Sequence, residues 1–176
     1  GAGGSRHVSN KICEEIFERK HPFDVRHEFI LMGGSKMSSS TGVGATAVEL
    51  EQLLPRYIFR FMMIQKDVMK TINFNPEGDT VPVLFDQYDQ VCADYFYGKE
   101  EEVKDHKNRI FELTHFFEDD LSLLDRHLPR FSLISFLVQM PHLDVEKKIE
   151  ELKGGPLNEA DKAELQLRIE YAKKWL

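Results

Sequence analysis

A stretch rich in glycine and hydroxyl groups, built around one lysine, is the part of the chain whose residue types point to chemistry. It reads Gly-Gly-Ser-Lys-Met-Ser-Ser-Ser-Thr-Gly over residues 33–42. Glycines allow the backbone to expose N–H groups, hydroxyls donate hydrogen bonds, and Lys36 brings a full positive charge. Together they predict contact with the phosphates of a nucleotide. The alternative is a plain surface linker, which is the usual role of a Gly/Ser stretch.

The sequence on either side favours the nucleotide interpretation. An apolar run over residues 29–32 is typical of a buried strand, and a helix is predicted to begin near Ala45. Ligands of open parallel sheets gather at the carboxyl ends of the strands, where this stretch would lie. It is not a Walker loop, because that motif places its lysine directly after the second glycine, whereas Lys36 comes two residues after Gly34.

The five residues from Lys36 to Ser40 resemble the KMSKS signature of class I aminoacyl-tRNA synthetases, in the variant with serine at the fourth place. The surrounding sequence is similar to the class I lysyl-tRNA synthetases in particular. Ala-Gly-Gly-Ser at 2–5, the two glycines before the signature, Arg60, and Arg-Ile-Phe-Glu-Leu at 109–113 fall in the order of that family. One departure is Ser39, where most of the superfamily has a second lysine.

The resemblance implies an enzyme that uses ATP and Mg²⁺ to activate lysine as an adenylate and then transfers the lysyl group to tRNA. The implied catalytic residues are Lys36, Ser38 and Ser39, which would stabilise charge on the departing pyrophosphate. With Ser39 in place of a lysine, that charge must be met by Lys36 alone, by Mg²⁺ or by a residue elsewhere. The implied ATP-binding residues are Gly3, Gly4, Gly33, Gly34, Lys36, Met37, Ser38, Ser39, Ser40 and Gly42, with the last three glycines letting the loop open and close.

Four cations after the signature are predicted to contact the tRNA backbone: Arg56, Arg60, Lys66 and Lys70. A solvated helix face is the alternative for the same residues. The chain has a net charge of -7, but residues 1–75 carry +2 and residues 76–176 carry -9. Because phosphate binding depends on lysine and arginine, tRNA is expected to meet the first half of the chain.

The expected fold is mainly α: a helical array attached to the last α/β edge of a Rossmann-type class I synthetase catalytic domain. Residues 1–44 are expected to form that edge, 45–76 a stem-contact-like helical region, and 77–176 an α-helical domain on the anticodon side of the tRNA. A short strand is predicted at 71–74. Helices are predicted at 8–20, 47–54, 56–65, 84–98, 131–140, 145–153 and 159–176. Ser132 is expected to cap the helix at 131–140, and Asn158 the last helix. The pairs Glu164–Arg168 and Glu170–Lys174 are expected on the exposed face of that last helix.

Other classes of site and protein are disfavoured. Cys13 and Cys92 have no partners at metal-ligand spacing, so no disulfide framework or metal site is predicted. No apolar run approaches the length of a membrane span, and a cytoplasmic setting is expected. The second superfamily signature, His-Ile-Gly-His, does not occur. The chain is therefore interpreted as a fragment cut at both ends and inactive alone. The alternatives are a glutamyl, arginyl or cysteinyl class I synthetase, or a non-catalytic helical adaptor.

Overall fold

The computed structural model describes residues 4–36, 47–98 and 101–176. Over these ranges the chain is mainly helical, as predicted, with three short strands near its start. The elements in chain order are α1 (Ser5–Glu15), β1 (Ile30–Met32), β2 (Ser35–Lys36), α2 (Ala47–Leu53), α3 (Arg56–Ile64), β3 (Ile72–Phe74), α4 (Thr80–Tyr97), α5 (Glu101–Thr114), a 3₁₀ turn (Leu121–Leu124), α6 (Phe131–Leu137), α7 (Val145–Lys153) and α8 (Glu159–Trp175).

The three strands form one small sheet in the order β2-β1-β3. β1 and β2 form an antiparallel hairpin, with Met32 opposite Ser35. β1 and β3 are parallel, with Ile30 opposite Ile72 and Met32 opposite Phe74. The apolar run before the signature is therefore a strand, as predicted. Because β1 has a neighbour on each side, any further strand would have to join this sheet beyond β2 or β3.

The helices share one hydrophobic core whose centre lies between α3, α4 and α5. Phe61 on α3, Tyr88 on α4 and Phe111 on α5 are at most 1% exposed. The Tyr88 ring lies edge-on to Phe61 with 5.7 Å between ring centroids. The core extends from Leu50 on α2 to Ala172 on α8. The predicted segments 45–76 and 77–176 thus pack against each other over a continuous apolar interior.

The helix α7 has the predicted bounds, and α8 begins where the sequence places it and ends one residue earlier, at Trp175. Gly154 follows α7 with a φ of 78°, the left-handed conformation that glycine adopts most easily at a helix end. Asn158 accepts a hydrogen bond from the Asp161 N–H, and the Asp161 side chain accepts one from the Asn158 N–H, which completes a capping box. The prediction for α6 gave the right first residue, Phe131, but the wrong cap and the wrong end. Its N-cap residue is Arg130, so Ser132 already lies inside the helix and does not cap it, and the helix ends at Leu137.

The first helix is shorter and more exposed than predicted. It ends at Glu15, and Glu18 adopts a φ of 48°, which turns the chain out of the helical path. None of its residues is buried, and Val8 is 50% exposed. Its apolar side chains are thus not covered by the described part of the chain. No helix in the described ranges has the length and apolarity to cross a bilayer.

Candidate functional site

The two glycines before the signature form the tight turn between β1 and β2. Gly33 has a φ of 55° and Gly34 a φ of 83°. Two consecutive positive φ values are the requirement of the two-residue hairpin turn that matches the twist of the flanking strands, and glycine meets it without steric cost. The backbone of Lys36 then pairs with Leu31 in β2. The signature therefore starts from a strand, and the role of Gly33, Gly34 and Gly42 in opening and closing the loop stays a prediction.

The N–H groups of both glycines are already used by β3. The Gly33 N–H donates to the Phe74 carbonyl oxygen at 2.9 Å. The Gly34 N–H donates to the side-chain oxygen Oδ1 of Asn73, also at 2.9 Å. A donor held by a protein acceptor is not free for a phosphate. Backbone donors to a nucleotide would then have to come from other positions, and nucleotide binding by Gly33 and Gly34 stays a prediction.

The turn lies at the carboxyl ends of β1 and β3, the edge where ligands of parallel sheets gather. Gly4 directly precedes α1, is exposed, and has an extended backbone with a φ of -70°. The remaining predicted nucleotide-binding residues lie outside the described residues: Gly3, Met37, Ser38, Ser39, Ser40 and Gly42. The described residues contain no group of three or more His, Cys, Asp or Glu side chains that could hold a metal ion.

The predicted tRNA-binding cations do not form one patch. α3 runs from Arg56 to Ile64 and leads into β3, so Arg56 and the pair Lys66 and Lys70 lie at opposite ends of it. Arg56 is exposed, and its Nε contacts Oε1 of Glu51 at 2.6 Å. Lys66 and Lys70 border an apolar pocket of about 460 Å³ at the amino ends of β1 and β3. That end of the sheet is opposite the glycine turn.

Arg60 is half-buried and held by contacts within the fold. Its Nη1 donates to the Thr114 carbonyl oxygen at 2.5 Å, which satisfies a backbone acceptor in the last turn of α5. Its guanidinium carbon lies 5.0 Å from the centroid of the Phe117 ring. These contacts give Arg60 a structural role that requires no tRNA, although tRNA binding by this residue stays a prediction.

Comparison with known proteins identifies the family. The family model for class I tRNA synthetases (K) matches residues 1–116. The chain belongs to this family. The lysine–tRNA ligase of Pyrococcus furiosus is 30% identical over 99% of the chain and 34% of that protein. The enzyme of Methanosarcina barkeri is 25% identical over 99% of the chain and 31% of its own length. Lysine–tRNA ligase 1 of Methanosarcina acetivorans is 32% identical over 64% of the chain and 21% of that protein.

These matches confirm the resemblance that the signature indicated. The matches to Pyrococcus furiosus and Methanosarcina barkeri extend over nearly the whole chain, so the helices after the signature share in the likeness. The non-catalytic adaptor alternative gains no support from them. The chain spans between about a fifth and a third of the length of these lysine–tRNA ligases.

A buried charged cluster in this class I (K) chain was not predicted. Glu164 and Arg168 on α8 were expected on its exposed face, but they are 2% and 0% exposed. The Arg168 Nε donates to Glu164 Oε1 at 2.7 Å, and its two terminal nitrogens donate to Asp89 on α4 at 2.9 and 2.5 Å. Tyr57 on α3 donates to Glu164 Oε1 at 2.8 Å, and Arg126 lies 2.8 Å from Oε2.

The ionisation of Glu164 follows from these partners. Burial pushes the pKa of Glu164 upward, but Arg168 and Arg126 outweigh it, so the pKa is lowered and the carboxylate stays charged. The cluster thereby joins α8 to α3 and α4. By contrast, Lys174 and Glu170 form an exposed pair at 2.5 Å, as predicted.

A second buried polar pair lies nearby. The Tyr88 hydroxyl and Nε2 of His115 are 2.8 Å apart. Burial lowers the pKa of His115 to about 4, with smaller contributions from Arg126 and Arg60. The imidazole is therefore neutral at pH 7. Burial also raises the pKa of Cys92 to about 12, so that this thiol is unreactive.

Proposed function

We propose that the protein containing this chain is an ATP-dependent lysine–tRNA ligase that forms lysyl-adenylate and passes the lysyl group to tRNA. The observation that carries this proposal is the likeness over 99% of the chain to relatives that bear that name. Membership of the class I (K) family supports the use of ATP, lysine and tRNA. This chain covers only part of such an enzyme. A cytoplasmic setting, where charged tRNA is used, follows from the proposed activity.

In this proposal Lys36 supplies the cation that meets the pyrophosphate as it leaves the α-phosphorus. Ser38 and Ser39 add hydroxyl or backbone donors in the same loop. Ser39 stands where other members of the superfamily have a second lysine, and Mg²⁺ brought by ATP would offset part of the phosphate charge that this lysine meets in them. The placement of the turn at the carboxyl edge of β1 and β3 supports this role for the residues that follow it.

The small sheet is proposed to be the edge of a Rossmann-type catalytic fold. Its parallel pair, β1 and β3, with the intervening helices α2 and α3, has the connectivity of such sheets. The helices from residue 77 onwards would then carry the tRNA-facing side of the enzyme. Three exposed cations are proposed to contact tRNA phosphates. These are Arg56 at the start of α3, and Lys66 and Lys70 after its end.

The decisive experiment is lysine-dependent exchange between ATP and pyrophosphate by the purified protein that contains this chain. We expect exchange with lysine and not with glutamate, arginine or cysteine. A Lys36→Ala variant should lose about 100-fold in kcat, the loss expected when one donor to a developing anion is removed. Lys20→Ala, which removes an exposed lysine outside the signature and its glycine turn, is the matched control and should change kcat less than twofold.

Two outcomes would contradict the proposal. Exchange with glutamate, arginine or cysteine in preference to lysine would assign the protein to another class I synthetase. Equal exchange by the Lys36→Ala and Lys20→Ala variants would remove the proposed role of the signature lysine.

A further inference from the structure

Strand β3 holds the turn that precedes the signature through two contacts of different kinds. One is an ordinary backbone hydrogen bond, from the Gly33 N–H to the Phe74 carbonyl. The other is made by a side chain: the Gly34 N–H donates to Oδ1 of Asn73. Without this side chain the Gly34 N–H would face water at the end of the ladder. Asn73 therefore extends the parallel pairing by one residue, into the turn itself.

Asn73 is an unusual residue for its position. It stands in the middle of a three-residue strand and is exposed, between the apolar Ile72 and Phe74. Asparagine is depleted in strands, so local preference does not account for it. Valine or isoleucine would suit the strand better but would offer no acceptor to Gly34. The hydrogen bond to the turn is the interaction in the structure that explains an asparagine here.

The helical body anchors β3 in turn. Phe74 is fully buried in the helical core. After the strand, the Asn75 N–H donates to the Thr80 hydroxyl at the start of α4, at 3.3 Å. The indole N–H of Trp175, at the end of α8, donates to the Pro76 carbonyl at 3.1 Å. The position of the glycine turn is thus set by helices that are distant from it in sequence.

We propose that Asn73 is a positioning residue for the signature loop. It does not contact ATP in this scheme. It fixes the backbone of Gly34, and only Ser35 lies between Gly34 and the signature lysine, whose backbone continues the strand opposite Leu31. The start of the signature is thereby placed relative to the helical body. The inference rests on the proposed function, because it assigns Asn73 a part in adenylate formation.

The position of a loop that meets the leaving pyrophosphate affects the transition state and not the binding of lysine. An Asn73→Ala variant should therefore lower kcat for ATP–pyrophosphate exchange while leaving the KM for lysine unchanged. One neutral hydrogen bond corresponds to a loss of about three- to tenfold. Asn75→Ala is the matched control. It removes a nearby asparagine whose Oδ1 accepts the Glu77 N–H, outside the turn, and it should alter kcat less than twofold.

A double-mutant cycle distinguishes positioning from a general structural role. If Asn73 acts through the signature lysine, Asn73→Ala should add less than about twofold to the loss already caused by Lys36→Ala. If Asn73→Ala caused a purely structural defect, the fold losses in kcat of the two single variants would instead multiply in the double variant. Independently of activity, amide hydrogen exchange at Gly34 should speed up in Asn73→Ala and stay slow in Asn73→Asp, which retains an acceptor oxygen.

The outcomes separate this inference from the proposed function. Lack of lysine-dependent exchange by the unsubstituted protein would overturn the proposed function and the inference that rests on it. Exchange by the unsubstituted protein together with an unchanged kcat in Asn73→Ala would overturn the inference alone. Multiplicative losses in the double variant, or an unchanged Gly34 amide exchange rate in Asn73→Ala, would also overturn it.

Discussion

The buried arginine on α8 offers a sharp test of how the helical body is held together. Arg168 is 0% exposed and donates to Glu164, to both carboxylate oxygens of Asp89, and to the Pro129 carbonyl at 2.8 Å. Arg168→Met keeps much of the side-chain volume and removes all of these donors. Glu164 retains Arg126 and the Tyr57 hydroxyl as partners, whereas Asp89 loses its bidentate guanidinium.

The expected cost follows from that difference. Removing one partner of a buried ion pair costs about 3–5 kcal/mol, because the remaining charge is left without compensation. The free energy of unfolding, measured by urea titration, should fall by this amount in Arg168→Met. Lys174→Met is the control, since it removes the cation of a four-apart pair on the same helix that is exposed. Its expected effect is about 0.5 kcal/mol or less.

A third variant tests the reason for the loss. In the Arg168→Met background, Asp89→Asn replaces the buried carboxylate by a neutral amide and should restore about 1 kcal/mol or more. If Arg168→Met and Lys174→Met each lower the free energy of unfolding equally, by less than about 1 kcal/mol, then burial does not determine how much the Arg168 cluster contributes to stability. If Asp89→Asn makes the double variant still less stable, the uncompensated charge is not the cause.

Three further predictions concern single residues. Gly34→Ala should lower the free energy of urea unfolding by about 1–2 kcal/mol because of the positive φ alone, since the added Cβ would meet no atom. Gly155 is equally open and has no positive φ, so Gly155→Ala should be near neutral. Asn158→Ala should lower the free energy of urea unfolding by about 1 kcal/mol and Ser132→Ala should leave it almost unchanged, since Asn158 caps a helix and Ser132 does not. Burial lowers the pKa of His115 to about 4, so the imidazole is neutral in the folded protein at pH 7. Its contribution to stability should be lost as pH falls from about 6.5 to 4. In His115→Phe the free energy of urea unfolding should depend less on pH over that window.

Local patterns were sufficient wherever neighbours in sequence decide the structure. The bounds of α7, the glycine that ends it and the asparagine that begins α8 all follow from capping rules that involve residues a few positions apart. The crowded apolar face of α3 and the burial of Tyr88 follow from helical periodicity and side-chain type. The apolar run before the signature is a strand for the same reason.

The candidate site was predictable only in part. Its residue types and its place after a strand were readable from the sequence, and family membership confirms the signature resemblance. The contact between Asn73 and Gly34 spans 39 residues, and no local pattern specifies it. The one available signal was an asparagine inside an apolar strand, where that residue is disfavoured. The separation of Arg56 from Lys66 and Lys70 follows from the length of α3, which the sequence predicted, whereas the position of the two lysines opposite the glycine turn depended on the sheet.

Two pairs on one helix show where sequence stops and tertiary structure begins. Glu164–Arg168 and Glu170–Lys174 have the same spacing and the same charges, and the sequence by itself determined that both lie on α8 four residues apart. Only the tertiary structure, which brings Asp89 on α4 and Tyr57 on α3 to the first pair, decided that this pair is enclosed while the second faces solvent. The physical reason is that helical spacing depends on the backbone alone, whereas burial depends on which other elements cover a face.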